Sequence, residues 1–172
     1  MSRSEEKPRI LIVDDLPGNI KMLAAILLEE YTLFTATNGK NALRMAEAQS
    51  PDLILLDVMM PEMDGFEVCQ ALKSAASTRD IPVIFITAMD SALDEQRGLD
   101  LGAVDYITKP FSRAIVAARV RNQLERLRLF RRNQLILDAV GEGLYGLDLD
   151  GRFTFVNPAA SRLLGWEGEA LL

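Results

Sequence analysis

Hydrophobic residues in this chain form short unbroken runs, and between the runs they recur every three or four positions. Short apolar runs are typical of strands buried on both faces, whereas the wider spacing is typical of helices that bury one face. Five runs are apolar or β-branched and end at polar or turn residues: RILIVDD (9–15), YTLFTAT (31–37), LILLD (53–57), PVIFITA (82–88) and VDYITKP (104–110). The pattern predicts five strands that alternate with helices.

The segments between these runs carry helix signals. Pro17 sits where the first turn of a helix tolerates proline, Gly39 opens a second helical segment, and residues 65–76 place apolar side chains on one helical face. Segment 91–102 (SALDEQRGLDLG) has few apolar residues, so it is predicted to be the least firmly packed helix. A long helix without glycine or proline is predicted to begin near Ser112.

Strands that alternate with helices favour a parallel sheet that is covered on both faces. Right-handed crossovers then limit the topology, and an open, doubly wound α/β sheet is the simplest solution. Such sheets bind their ligands beyond the carboxyl ends of the strands. Polar residues at those ends are therefore the first candidates for a functional site.

Polar side chains stand at the ends of four predicted strands. They are Asp14 and Asp15 after the first, Asp57 after the third, Thr87 after the fourth and Lys109 after the fifth. Three carboxylates at one sheet edge repel each other unless a cation compensates them, and Mg²⁺ prefers carboxylate oxygens and water. A carboxylate is also a nucleophile toward phosphorus, while a metal ion and a lysine can neutralise charge on phosphoryl oxygens. The group indicates Mg²⁺-dependent phosphoryl chemistry.

Four motifs occur in an order and spacing that match a known family: IVDD (12–15), LDVMMPEMDG (56–65), FITA (85–88) and GAVDYITKP (102–110). On these motifs, residues 9–122 resemble the receiver domain of bacterial two-component response regulators. The resemblance implies a five-stranded parallel sheet in the order 2-1-3-4-5, flanked by five helices. It also implies a phosphoacceptor signalling domain and not an enzyme, with only self-phosphoryl transfer and autodephosphorylation expected.

The resemblance assigns roles to individual residues. Asp57 is the implied phosphoacceptor, and Mg²⁺ is the implied cofactor. The implied metal ligands are Asp14, Asp15, Asp57 and the backbone carbonyl of Met59. The groups implied to contact the phosphoryl group are Thr87, the backbone of Ala88, and Lys109. The Lys109–Pro110 peptide bond is expected to be cis, and Asn19, in a Pro-x-Asn sequence that the family often has, is expected to shape the loop.

The resemblance also implies partners and a switch. A sensor histidine kinase or phosphotransfer protein would donate the phosphoryl group. Phosphorylation would draw Thr87 toward Asp57 and leave space into which Tyr106 rotates. A homodimer is expected through the face that the family calls helix 4–strand 5–helix 5, through the C-terminal helix, or through both.

The long predicted helix, from Ser112 to about Val140, exceeds what one small sheet can cover. Apolar residues recur along it near coiled-coil spacing, at Val116, Val120, Leu127, Phe130 and Leu137, with a second possible stripe at Val120, Leu124 and Leu127. Gln123 and Gln134 interrupt the first stripe. Residues 123–141 are predicted to be a coiled-coil-like linker that pairs in parallel with a second copy and joins the receiver to an effector, and the alternative is a solvated, arginine-rich linker helix.

Residues 142–172 resemble the beginning of a PAS domain. The matching positions are Asp148, Asp150, Gly151, Asn157, Ala159 and Gly165. They predict a strand, an Asp150-Gly151 hairpin turn, a second strand and a helix. Because this segment is too short to bury a core alone, we expect a fragment of a longer protein. We expect residues beyond about 142 to pack against a second copy, to adopt another arrangement or to be disordered.

Composition narrows the remaining function classes. The chain has no histidine, which excludes Ser-His-Asp and Cys-His catalysis and histidine metal sites. The single cysteine, Cys69, excludes an internal disulfide and is interpreted as a core residue. The polar tail at residues 1–8 is followed by no signal segment or membrane-length apolar run, so a cytoplasmic location is expected. A net charge of −6 disfavours a nucleic-acid-coating role.

The sequence disfavours two alternatives to a signalling switch. An aspartyl-phosphate phosphatase of the dehalogenase type is disfavoured, because its nucleophile lies in a D-x-D motif after the first strand, where this chain has adjacent Asp14 and Asp15. A DNA-binding regulator is disfavoured because a PAS-like segment, and not a helix-turn-helix, follows the basic helix. That helix region holds seven arginines between residues 113 and 132, which favours a solvated face.

Overall fold

The computed structural model of the chain describes residues 7–88 and 98–165. The described residues divide into two compact units between Leu124 and Glu125. Most of the predicted N-terminal tail, most of the predicted helix in segment 91–102 and the last residues of the PAS-like segment lie outside the described residues. No helix in the described ranges is long and apolar enough to cross a membrane.

The first unit is built on a five-stranded parallel sheet in the order β2-β1-β3-β4-β5. The strands are β1 (Arg9–Val13), β2 (Thr32–Ala36), β3 (Leu53–Asp57), β4 (Val83–Thr87) and β5 (Asp105–Thr108). The order and the parallel pairing confirm the predicted fold. Each strand lies within its predicted range.

The helices that begin in this unit include α1 (Pro17–Leu27), α2 (Gly39–Gln49), α3 (Gly65–Ser74) and α4 (Arg113–Ala139), the last being the long helix of the prediction, which continues into the second unit. At the start of α2 and of α3, a side chain satisfies a free backbone amide. The Asn38 side chain accepts from the amide of Asn41 at the start of α2. Asp64 and Glu67 form a reciprocal capping box at the start of α3, which places that helix immediately after the loop that follows β3.

Alternate residues of the central strands face opposite sides of the sheet, so two apolar cores form. One core joins Leu11, Ile54 and Phe85 of the sheet to α2 and α3, and Cys69 is buried within it. The other core contains sheet residues such as Ile12 and is completed by α1 and by the start of α4. The central strands are therefore buried on both faces, which explains their unbroken apolar sequences.

The first turns of the long helix belong to the receiver core. Val116 and Val120 are fully buried there, so they are not available to a second helix. Gln123 is buried as well, and its side-chain amide donates to the carbonyl of Val104 at 3.4 Å. The predicted coiled-coil stripe is therefore wrong over these turns, because tertiary packing already occupies their apolar face.

The second unit contains an antiparallel hairpin followed by a short helix. Its elements are β6 (Tyr145–Leu147), β7 (Phe153–Val156) and α5 (Pro158–Leu164). The turn between the strands contains Gly151 with φ +80°, a conformation that glycine adopts without strain. The strand, turn, strand and helix follow one another as predicted for these residues.

Asn157 is the polar centre of the second unit and is 1% exposed. Its side-chain oxygen accepts from the amides of Leu144 and Ala160, both at 2.9 Å. Its side-chain nitrogen donates to the carbonyls of Leu137 and Glu142 at 3.1 and 3.0 Å. One side chain thus joins the last turn of α4, the entry to β6 and the start of α5.

Candidate functional site

The polar residues predicted at the strand ends lie at one edge of the sheet, because parallel strands present their carboxyl ends together. Asp14 follows β1 and Asp57 ends β3, while Thr87 ends β4 and Lys109 follows β5. Asp57 pairs across the ladder with Ile86, the residue before Thr87. The apolar strands therefore hold these side chains on the rigid part of the domain.

Three carboxylates form a compact cluster at this edge. Oxygen atoms of Asp14, Asp15 and Asp57 all lie within 4.8 Å of one another. Asp14 is 0% exposed and Asp57 is 3% exposed, whereas Asp15 is partly exposed. The cluster thus combines two buried acids with one that solvent can reach.

Lys109 compensates part of this negative charge. Its ammonium lies 3.0 Å from Oδ2 of Asp14 and 3.0 Å from Oδ2 of Asp57. Burial lowers the pKa of Lys109, but the hydrogen bonds and charges of the two carboxylates outweigh that effect and leave its pKa raised. The lysine is thereby held as a cation between two buried acids, and the Lys109–Pro110 peptide bond that follows is cis.

Asp57 is the acid with unused hydrogen-bonding capacity. Burial raises its pKa above the usual range and the charge of Asp14 adds to the rise, while Lys109 and a main-chain hydrogen bond from Met59 oppose it. Its Oδ1 atom is buried and has no hydrogen-bond partner in the described part of the chain. A buried carboxylate oxygen without a partner is costly and calls for an explanation such as a bound ion.

The donor set at this edge fits a hard divalent cation. Carboxylate oxygens are the ligands that Mg²⁺ prefers, and the free Oδ1 of Asp57 lies within the acidic cluster. Asp14, Asp15 and Asp57 are the residues that would hold the ion, which would supply positive charge next to a phosphoryl group. The role of the Met59 carbonyl as a further ligand stays a prediction.

Thr87 and Tyr106 line the same small cavity. Its volume is about 10 Å³, close to the space of one water molecule, and other walls come from Val58, Phe66 and Phe85. Thr87 is 5% exposed and Tyr106 is half-buried.

The ends of β4 and β5 are joined by a backbone hydrogen bond, in which the amide of Lys109 donates to the carbonyl of Thr87 at 2.7 Å. Ala88, next in sequence, is exposed.

Asn19 is a site residue that sequence reasoning assigned only to loop shape. Its side-chain nitrogen donates to both carboxylate oxygens of Asp14, each at 2.9 Å. The signal in the sequence was its spacing, since Pro17 starts a helix whose third residue is Asn19. The spacing alone does not show that the amide turns back onto an acid five residues earlier.

The family model described as response regulator receiver domain matches residues 10–121. The chain belongs to this family. A second family model, described as PAS fold, matches residues 131–172, downstream of the receiver domain. Both resemblances found in the sequence are thereby confirmed. The PAS match begins inside the predicted linker, and the exact boundary between linker and PAS segment stays a prediction.

Curated relatives and a solved structure place the receiver domain among known proteins. Response regulator PleD of Caulobacter vibrioides is 43% identical over 166 residues, which cover 95% of this chain and 34% of PleD. Probable transcriptional regulator ycf27 of Cyanidium caldarium is 37% identical over 169 residues, which cover 96% of this chain and 67% of that protein. The chain therefore spans about a third of PleD and about two thirds of ycf27.

The solved structure is the signal receiver domain of a signal transduction histidine kinase from Syntrophus aciditrophicus. It is 41% identical to this receiver domain and superposes with a TM-score of 0.64. The match covers 69% of this chain and 90% of that one. The shared region is thus the receiver domain.

Proposed function

We propose that this chain is a phosphorylation-dependent switch of a two-component system that accepts a phosphoryl group on Asp57. The observation that carries the proposal is the state of Asp57: its Oδ2 pairs with Lys109 while its buried Oδ1 has no partner among the described residues. Lys109 therefore holds Oδ2, and Oδ1 is available to a cation or a phosphoryl group. Asp14 and Asp15 beside it fit the Mg²⁺ that such a transfer uses.

The proposed step is attack of an Asp57 oxygen on phosphorus in a phosphohistidine of a sensor kinase or phosphotransfer protein. A P–O bond forms, the P–N bond breaks, and the histidine nitrogen recovers its electron pair and takes up a proton. Lys109 stays charged beside Asp57 and can neutralise one phosphoryl oxygen. Thr87, with the backbone of Ala88, is proposed to donate hydrogen bonds to the others.

The proposed switch couples Asp57 to Tyr106 through Thr87. A phosphoryl group adds roughly 1.5 to 2 negative charges and three acceptor oxygens. Thr87 and Tyr106 border one small cavity, so movement of the threonine toward Asp57 would change the space open to the tyrosine ring. The face that carries Tyr106 is proposed to report the change.

We also propose that the second half of the long helix joins two copies in parallel. Leu129 and Ile136 are seven residues apart and are 53% and 52% exposed. Asn133 lies between them at coiled-coil spacing, and an asparagine at such a core position specifies register and a two-stranded state. The PAS segment follows this helix, so the output is proposed to pass through it.

We propose no specific output activity for this chain. PleD is a response regulator and ycf27 a probable transcriptional regulator, and each is longer than the matched region. Direct nucleic-acid binding is not proposed for this chain, and all seven arginines of the long helix are exposed, as expected for a solvated face. We propose a cytoplasmic location, where a soluble kinase domain can reach Asp57.

The decisive experiment is incubation of the full chain with acetyl phosphate and Mg²⁺, followed by intact mass measurement. The native chain should gain one phosphoryl group, and Asp57→Asn should gain none. Asp80→Asn, at an exposed aspartate of the same unit, is the control and should behave as the native chain. Incorporation that persists in Asp57→Asn, or that is absent from the native chain with Mg²⁺, would overturn the proposal.

A further inference from the structure

The two buried acids of the site differ in how many of their oxygen atoms accept hydrogen bonds. Asp14 accepts the amide of Leu16 on Oδ1 at 2.9 Å and the ammonium of Lys109 on Oδ2 at 3.0 Å. It also accepts the Asn19 side-chain amide on both oxygens. Asp57, by contrast, keeps a buried Oδ1 without a partner in the described ranges.

The Asn19 amide adds a further donor to both oxygens of Asp14. Its nitrogen is equidistant, at 2.9 Å, from the two oxygens of Asp14. A cation that bound both oxygens of this carboxylate would need the same position, and one that bound a single oxygen would compete for the same lone pairs. Direct coordination by Asp14 therefore requires that Asn19 give up at least part of its contact.

Asn19 reaches this position because of the local fold. Pro17 begins α1, and Asn19 is the third residue of the helix. Its backbone amide donates to the carbonyl of Leu16 at 3.0 Å, so the backbone is held independently of the side chain. The side chain is partly exposed, which means that its replacement leaves no cavity in the core.

We propose that Asn19 is a positioning residue that sets the cation affinity of the site by occupying Asp14. With its amide in place, an incoming cation is directed to Asp15 and to the free oxygen of Asp57. Removing the amide would leave Asp14 with fewer donors, so the carboxylates would bind a cation more tightly. The use of the site for phosphoryl transfer rests on the proposed function, but cation binding is measured without a phosphodonor.

The test is a titration with Mn²⁺ followed by electron paramagnetic resonance, which distinguishes free from bound ion. The native chain is compared with Asn19→Ala and with Asn41→Ala. Asn41 is the matched control because it is also the third residue of its helix, α2, and its side chain accepts from Arg44 of the same helix and not from an acid of the site. Asn19→Ala should bind Mn²⁺ roughly tenfold more tightly, because the Asn19 hydrogen bond to the Asp14 carboxylate no longer competes with the ion. A tenfold change in affinity corresponds to the loss of one hydrogen bond to a charged group. Asn41→Ala should match the native chain.

A second measurement separates this role from a merely structural one. Thermal unfolding of Asn19→Ala should begin at a lower temperature in EDTA and should show a larger upward shift on adding Mg²⁺, because tighter binding stabilises the folded state more. Asn19→Ser, whose side chain is one bond shorter, should change the unfolding temperature in EDTA and its shift with Mg²⁺ in the same directions as Asn19→Ala. Unchanged or weaker Mn²⁺ binding in the folded Asn19 variants would overturn the proposal.

The same proteins separate this inference from the proposed function. Phosphorylation of the native chain by acetyl phosphate tests Asp57, whatever the Asn19 variants do. If the native chain is phosphorylated and the Asn19 variants bind Mn²⁺ as it does, only the role of Asn19 fails. If Mn²⁺ binding changes as expected and no phosphorylation occurs, the proposed function fails and the role of Asn19 stands.

Discussion

Gly65 lies directly against the main chain of Asp57. A β-carbon at Gly65 would overlap the carbonyl oxygen of Asp57 and would lie 2.8 Å from the α-carbon of Val58. The amide of Gly65 also donates to the carbonyl of Val58 at 2.9 Å, which closes the loop after β3. The start of α3 is therefore packed against the backbone that carries Asp57, the proposed phosphoacceptor, and only glycine fits there.

Gly65→Ala is expected to destabilise the domain by about 1–3 kcal/mol, since backbone atoms must shift to admit the methyl group. The shift would displace Asp57, so phosphorylation by acetyl phosphate should also slow. Gly18→Ala in α1 is the control, because a β-carbon there has no neighbour within 4 Å. It should be neutral or stabilising by up to about 1 kcal/mol. Urea unfolding measures both, and equal destabilisation by the two changes would contradict the explanation.

Asp57→Asn is expected to stabilise the metal-free protein at neutral pH, on the order of 1 kcal/mol, by removing a poorly compensated buried charge. The folded state raises the pKa of Asp57 above its usual value of 3.8, chiefly through burial. Protonated Asp57 thus favours folding, and that contribution is lost as pH rises through the raised pKa. The advantage of Asp57→Asn should therefore shrink as pH falls through that pKa and vanish below 3.8.

Urea unfolding in EDTA over a series of pH values checks this expectation. Asp80→Asn, at an exposed position, should change the free energy of unfolding by less than about 0.5 kcal/mol. An Asp57→Asn variant that is less stable than the native chain at neutral pH would show that the pair with Lys109 outweighs the cost of burial.

Replacing both Leu129 and Ile136 by serine should weaken self-association of the chain roughly a hundredfold, since two apolar side chains leave the proposed interface. Leu135→Ser is the control: Leu135 is more exposed, at 69%, but lies about 100° around the helix from Ile136. Sedimentation velocity with and without beryllofluoride measures the dimer. If Leu135→Ser dissociates it as strongly as the double change, the proposed interface is on the wrong side of the helix.

Asn157→Asp is expected to loosen the second unit while keeping its helix cap. The aspartate can still accept from the amides of Leu144 and Ala160, but it cannot donate to the carbonyls of Leu137 and Glu142. Hydrogen exchange should rise roughly tenfold or more at the start of β6, as two hydrogen bonds are lost. Exchange in β1 and β3 of the first unit should not change, and Asn122→Ala, at an exposed position of the long helix, is the control.

The fold class and the acids and lysine of the candidate site could be predicted from the sequence alone. Unbroken apolar runs such as LILLD identify strands buried on both faces, and parallel strands necessarily bring Asp14, Asp57 and Lys109 to one edge. The start of α1 could be predicted as well, because the first turn of a helix tolerates proline and Pro17 begins this helix. These features depend on side-chain type and on spacing along the chain, so they can be predicted without coordinates.

The way the site residues share their hydrogen bonds could not be predicted from the sequence. That Asn19 saturates Asp14, while an oxygen of Asp57 stays unpaired in the described residues, depends on where one side chain points after the helix has formed. The same holds for the long helix, along which the sequence predicts two possible heptad-like stripes, both including Val120. Its first turns are buried by the receiver core, because the sheet competes with a second helix for the same apolar face. The sequence shows which residues of the helix are apolar and how they are spaced, but only the packing shows which surface covers them.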